Sequence, residues 1–200
     1  MIDIAVLASG SGTNLQALID APDILPRIRL VLSDRPRALA LKRAEEAGIP
    51  TTVISWGDYR DREGFSAAVA DSVEAAGAKG AVLAGFMRIL SPVFIERFPN
   101  RILNVHPSLL PAFPGANAVE DALAYGVKVT GVTVHFVDEK VDHGPIIAQR
   151  AVEVIEGDTV DSLHARIQRV EHVLYPEVVR AFVHGDLSVE GRRVVWRGRE

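Results

Sequence analysis

The chain is 200 residues long, 48% hydrophobic and 24% charged, with 22 basic against 26 acidic side chains and a formal net charge of −4. That balance lacks the basic excess of a nucleic-acid-binding surface, and the length fits one domain able to bury a core without staples. Cysteine is absent, which removes disulfides, thiolate-held zinc, iron–sulfur clusters and a thiol nucleophile, and agrees with a reducing compartment. The first basic residue is Arg27 and no uninterrupted apolar stretch approaches the ~18 residues of a membrane span, so the sequence reads as cytoplasmic, without a leader or a membrane partner.

Taken in order, the apolar run 2–8 ends at Gly10-Ser11-Gly12, and Leu15, Leu18 and Ile19 then recur at helical spacing. This predicts a strand, a glycine turn and a helix. The alternation continues with a strand over 28–32, a helix over 36–47 stopped by Gly48, a strand over 51–54 and a helix over 61–76. A buried strand over 81–86, a helix opened by Ser91-Pro92 and running to Phe98, and a strand over 102–105 follow. Alternating strands and helices predict an α/β fold with a doubly wound, mostly parallel sheet. After a helix over 119–125 the pattern changes: 127–137 and 146–154 are β-branched runs without helical spacing between them, which predicts an antiparallel addition in the second half. A long helix over 159–183 and a small hairpin over 187–196, turning at Glu190-Gly191, complete the chain. With no linker between these segments, one domain is the economical organisation.

Gly10-Ser11-Gly12-Thr13-Asn14 turns the chain from strand into helix, where free backbone N–H groups and the helix dipole favour an anion such as phosphate. A structural glycine turn is the alternative. A phosphate loop of the Gly-Lys-Ser/Thr kind is absent, and the dinucleotide fingerprint would need a third glycine where Leu15 stands. Asp34 occupies the place of that fingerprint's ribose-binding acid and reads otherwise as a turn residue before Pro36.

The richest segment is Asn104-Val105-His106-Pro107-Ser108-Leu109-Leu110-Pro111, at the predicted end of the fifth strand. Ligands of open parallel sheets gather at the carboxyl ends of strands. Asn104 and His106, two apart on a strand, project from one face, and an amide beside an imidazole serves a developing oxyanion and a proton transfer together. The alternative is an amide tying down a turn and a hydrogen-bonded structural histidine. Prolines 107, 111 and 114 with Gly115 make the following loop rigid and non-helical. Asp142-His143-Gly144-Pro145 reads as a turn, or as a source of the carboxylate that favours the charged form of a nearby histidine. His135 reads as a core or surface residue; His164, His172 and His184 have no metal-ligand spacing, and Arg192, Arg193, Arg197 and Arg199 form a solvated basic tail.

Taken together, the strand-end NxHPSLLPxxPG, the early GSGTNLQ and the later VDxGPII resemble the glycinamide ribonucleotide transformylase family of folate-dependent formyltransferases, over Gly10 to about Glu171. The HPSLLP segment alone is shared with methionyl-tRNA formyltransferases and formyltetrahydrofolate hydrolases, which carry an additional domain. The resemblance implies a single Rossmann-like formyltransferase domain over 1–200, with a phosphate-binding half of about 1–100 and a folate-binding and catalytic half of about 101–200. It implies transfer of a formyl group from the co-substrate 10-formyltetrahydrofolate to the amine of glycinamide ribonucleotide in purine biosynthesis, with no metal.

By the same resemblance Gly12, Thr13, Asn14, Gln168 and Glu171 hold the ribonucleotide. Arg62, Met87, Arg88, Ile89, Leu90, Asp138, Glu139, Lys140 and Val141 form the folate pocket, and Asn104, His106 and Asp142 are the catalytic three. The implied chemistry is direct attack of the amine through a tetrahedral intermediate, with monomer and homodimer both open. Two positions depart from the family pattern: Asn117 stands where many relatives have histidine, and His143 follows Asp142 directly and is expected to face solvent. A formyltetrahydrofolate hydrolase and a non-catalytic Rossmann-type nucleotide-binding module are the competing readings.

Overall fold

A computed structural model of the protein describes residues 1–198; Arg199 of the basic tail lies outside the described residues. Five parallel strands, β1 (Ile4–Leu7), β2 (Ile28–Ser33), β3 (Thr51–Val53), β4 (Gly80–Leu83) and β5 (Ile102–His106), are continued by the antiparallel β6 (Val129–Phe136) and β7 (Ile146–Glu153). Their order is β3-β2-β1-β4-β5-β6-β7. The order reverses between β1 and β4, and the crevice of such a sheet opens at that point, beyond the carboxyl ends of the strands. A separate hairpin of β8 (Leu187–Glu190) and β9 (Arg193–Trp196) ends the fold as the sequence predicts.

Strand β1 shows why the sheet is covered twice. Its side chains alternate, as a pleated strand requires. Ile4 and Val6 enter one apolar cluster with α1 (Thr13–Ile19), α2 (Leu39–Glu46) and α6 (Val160–His184). Ala5 and Leu7 enter a second with α3 (Arg62–Ala75) and α4 (Pro92–Ile95). Strands buried on both faces read as continuous apolar runs, and this is the run seen at the start of the chain. Helix α6 opens with a capping box between Thr159 and Ser162 and closes at Gly185 in the left-handed conformation. Helix α5 (Ala118–Tyr125) covers the first cluster beside it. Among the described residues no helix is long and apolar enough to cross a membrane.

Three boundaries differ from expectation for local reasons. Helix α2 begins at Leu39 because residues 35–38 first close a turn, with the Ala38 N–H donating to the Arg35 carbonyl at 3.2 Å. Helix α4 ends at Ile95, and the chain tightens into bonds three residues apart, Arg97 to Phe94 and Phe98 to Ile95, each 3.2 Å. Strand β4 stops at Leu83 because Gly85, at φ 75°, turns the chain away from the sheet.

Candidate active site

A cleft of about 490 Å³ opens beside the reversal of strand order. One wall is the segment from Gly85 to Leu90 that leaves β4; the other is the loop from Val137 to Asp142 that leaves β6. Met87, Ile89 and Val141 stand 61%, 56% and 50% exposed on these walls, a surface suited to a flat apolar guest. Arg88, Leu90, Asp138, Glu139 and Lys140 also line the cleft, and its floor holds Asn104, His106, His135 and Asp142.

The pairing of β5 with β6 assembles the floor. Asn104 lies opposite His135 and His106 opposite Thr133 in the antiparallel register, so neighbouring side chains on one face meet. The Asn104 Nδ2 lies 3.3 Å from His135 Nε2 and donates to Asp142 Oδ1 at 3.4 Å. Asp142 Oδ2 lies 3.4 Å from His106 Nδ1, and its Oδ1 lies 3.7 Å from His135 Nε2. Each histidine has its other ring nitrogen at 2.8 Å from a backbone carbonyl, His106 Nε2 at Phe113 and His135 Nδ1 at Phe136. A carbonyl only accepts, so those two nitrogens each carry a hydrogen, and the opposite nitrogens, which face the carboxylate, donate to it when the rings are protonated. Burial pushes the Asp142 carboxyl up, but the His135 ring, the Gly115 N–H at 2.8 Å and the charge of His106 outweigh it and hold the group below its ordinary 3.8.

The two loops that bring these groups together are backbone-strained. Asp142 at φ 49° and Phe113 at φ 52° are left-handed without being glycine, a state costing about 1–3 kcal/mol each. The first turns the carboxylate inward, and the second turns a carbonyl onto His106. A partly buried polar network secures the segment after β5: Ser108 Oγ donates to the Ala112 carbonyl at 2.5 Å, Thr133 Oγ1 donates to the Ser108 carbonyl at 2.7 Å, and Gln149 Nε2 donates to the Leu110 carbonyl at 2.9 Å. The base of the 137–145 loop is just as tight, because a Cβ on Gly144 would sit 1.9 Å from the Phe136 carbonyl oxygen.

A second polar group lies at the start of α1. Gly12, at φ 71°, packs where a Cβ would meet Ala40 at 2.7 Å, so the turn admits glycine alone. Asn14 Nδ2 donates to Glu171 Oε2 at 2.9 Å, and Glu171 is buried on α6 with Gln168 one turn before it. The structure thus joins Asn14 to Glu171 across the first apolar layer and leaves Thr13 as the first residue of the helix. None of Gly12, Thr13, Asn14, Gln168 and Glu171 lines the enclosed cleft, nor does Arg62, which opens α3 and lies 3.9 Å from Glu63. Among the described residues no group of three or more His, Asp or Glu side chains is placed to hold a metal ion.

Three sequence readings gain detail in the structure. Asp34 lies in the bend that leads into the turn before Pro36, as read, but its side chain is fully buried there and accepts from Arg88 Nε at 2.7 Å. His135 is a member of the polar cluster, a position that only the β5–β6 register reveals. Arg192 of the basic tail reaches His143, with Nη1 at 3.3 Å from Nδ1. His143 does turn outward, 48% exposed and 2.7 Å from Asp138. Gly115, whose N–H meets Asp142, is legible in the sequence only as part of a rigid loop.

The chain matches the formyl transferase family model over residues 2–179. It is 41% identical over 191 residues to phosphoribosylglycinamide formyltransferase of Escherichia coli, covering 94% of this chain and 90% of that relative. It is also 46% identical over 197 residues to the trifunctional purine biosynthetic protein adenosine-3 of Bos taurus, covering 96% of this chain, which spans only 20% of that relative's length. A crystal structure of glycinamide ribonucleotide transformylase 1 from Symbiobacterium toebii superposes with a TM-score of 0.95 at 51% identity, covering 98% of this chain and 94% of the other. With nearly its whole length aligned to such relatives in sequence and in fold, the chain belongs to the formyl transferase family.

Proposed function

We propose that the protein transfers a formyl group from 10-formyltetrahydrofolate to the amine of glycinamide ribonucleotide; its relatives in Escherichia coli and Symbiobacterium toebii are named for formylation of that ribonucleotide, and the folate donor is part of this proposal. The observation that carries this reading is the convergence of Asn104, His106 and Asp142, from a strand end and a distant loop, on the floor of an apolar-walled cleft. A folate fits that cleft as a co-substrate: the exposed Met87, Ile89 and Val141 offer apolar contact to its rings, and the backbone of 87–90 and 138–141 offers polar edges. Gly12, Thr13 and Asn14 would receive the phosphate side of the ribonucleotide, and Gln168 and Glu171 its ribose or glycinamide part. Arg62 would serve the folate from outside the enclosed part of the cleft.

In this reading the amine attacks the formyl carbon, and the carbonyl oxygen gains charge as the new C–N bond forms. The Asn104 amide, oriented by Asp142 and His135, exchanges one of these two long contacts for a bond to that oxygen; one such donor is worth about 3–4 kcal/mol. His106 supplies a second N–H once its bond to the strained Phe113 carbonyl is exchanged for the substrate oxygen. Asp142 takes the proton leaving the amine, through water, and it is returned to the folate nitrogen as the C–N bond to that nitrogen breaks.

The test is a spectrophotometric assay of folate deformylation with and without glycinamide ribonucleotide. Loss of the formyl group only when the ribonucleotide is present is the expected result. Equal loss without it would replace this reading with a hydrolase that uses water as acceptor.

A further inference from the structure

Asp34 is the polar residue singled out in the sequence that the proposed chemistry leaves unused, and its surroundings are unusual. Its side chain has no exposure to solvent. Oδ2 accepts from Arg88 Nε at 2.7 Å, while Oδ1, equally buried, has no hydrogen-bond partner among the described residues. A buried carboxylate met at one oxygen is a poor source of stability, since desolvation offsets most of the attraction. What the pair does achieve is geometric. Asp34 follows β2 and Arg88 follows β4, so the bond bridges the end of β1 between them. The guanidinium is held a second time, 5.4 Å above the Trp56 ring. The chain bends at Arg88, whose guanidinium is tied back to Asp34, while Met87 and Ile89 on either side of it stand exposed at the cleft. Ser9 Oγ, at the end of β1, accepts from the Met87 N–H at 2.8 Å and holds the same segment at the backbone.

We infer that Asp34 is a positioning residue for the folate-facing wall: it holds Arg88 and thereby sets which side of the 87–89 segment the cleft presents. The inference rests on the formyl-transfer reading of the cleft, and the experiment separates the two. Asp34→Asn keeps the shape of the side chain and removes its charge. The variant is expected to raise KM for 10-formyltetrahydrofolate about tenfold, the loss of roughly one charge-assisted hydrogen bond. Its kcat stays within about threefold, KM for the ribonucleotide is unchanged, and amide hydrogen exchange accelerates only over residues 84–91. Unchanged kinetics with unchanged exchange would overturn the proposal. Equal rises in both KM values with faster exchange throughout would overturn it too, by reducing Asp34 to a general stabiliser. If the unsubstituted protein transfers no formyl group, the formyl-transfer reading fails and exchange decides alone: acceleration confined to 84–91 upholds the anchor and its absence removes it. Should Asp34→Asn not fold, Arg88→Gln is read by the same exchange pattern.

Discussion

The floor and the apolar wall of the cleft are built in opposite ways. On the floor, His106 and Asp142 have side chains only 5% and 11% exposed and are held by strand register, strained backbone and a network of partly buried hydrogen bonds. On the wall, Met87 and Ile89 are more than half exposed and are steadied from behind, through Ser9 and the Asp34–Arg88 pair. The contrast follows from what each surface does. Groups that move protons must be pre-organised and shielded from bulk water, because each interaction is stronger in a low-dielectric site. A surface that recognises a flat apolar guest needs area and shape, and it must stay open for the guest to enter.

The comparison is broken most severely at the floor. His106→Ala and Asp142→Asn are each expected to lower kcat by about 10²–10⁴-fold, the range of positioned acid–base groups, while KM for the formyl folate changes by less than about threefold. Initial rates at saturating substrates measure this, and a near-normal kcat in both variants would sink the mechanism.

Next in size is Gly144→Ala. Its Cβ would collide with the Phe136 carbonyl at 1.9 Å, so the loop carrying Asp142 must shift. A loss of about 2–4 kcal/mol in urea unfolding, together with most of the turnover, is expected; wild-type stability would show that the loop base is looser than the geometry demands.

A smaller and more selective effect is expected at the far end of the site. Glu171→Gln weakens the partner of Asn14 and should raise KM for the ribonucleotide about tenfold while leaving that for the folate alone. A change in the folate constant instead would mean that the two ends are not separate binding surfaces.

The smallest effect is a pH dependence. The folded-state pKa of Asp142 lies below the ordinary 3.8, so its contribution to stability is complete above that value and is lost as pH falls through the lowered folded-state value. The stability difference between the protein and Asp142→Asn should therefore not shrink from about pH 7 to about pH 5, where the facing histidines gain charge, and should narrow only in stronger acid. A difference already shrinking between about pH 7 and pH 5 would mean that burial, rather than the histidines and the Gly115 N–H, dominates the carboxyl.

Much of this architecture was legible in the amino-acid sequence. Apolar runs bounded by glycine and proline, helical spacing such as Leu15 and Leu18, and the β-branched stretches of the second half specify strands, crossover helices and an antiparallel addition, because periodicity and turn chemistry act over a few residues. The strand-end Asn104 and His106 were legible for the same reason, since two positions on one strand share a face. Only the tertiary structure decided that Asp142, 38 positions from Asn104, meets it, that His135 joins them across β5 and β6, and that Asp34 is buried against Arg88, 54 positions away. Those contacts depend on register, loop dihedrals and burial, which arise when distant segments pack together and which no local pattern in the chain encodes.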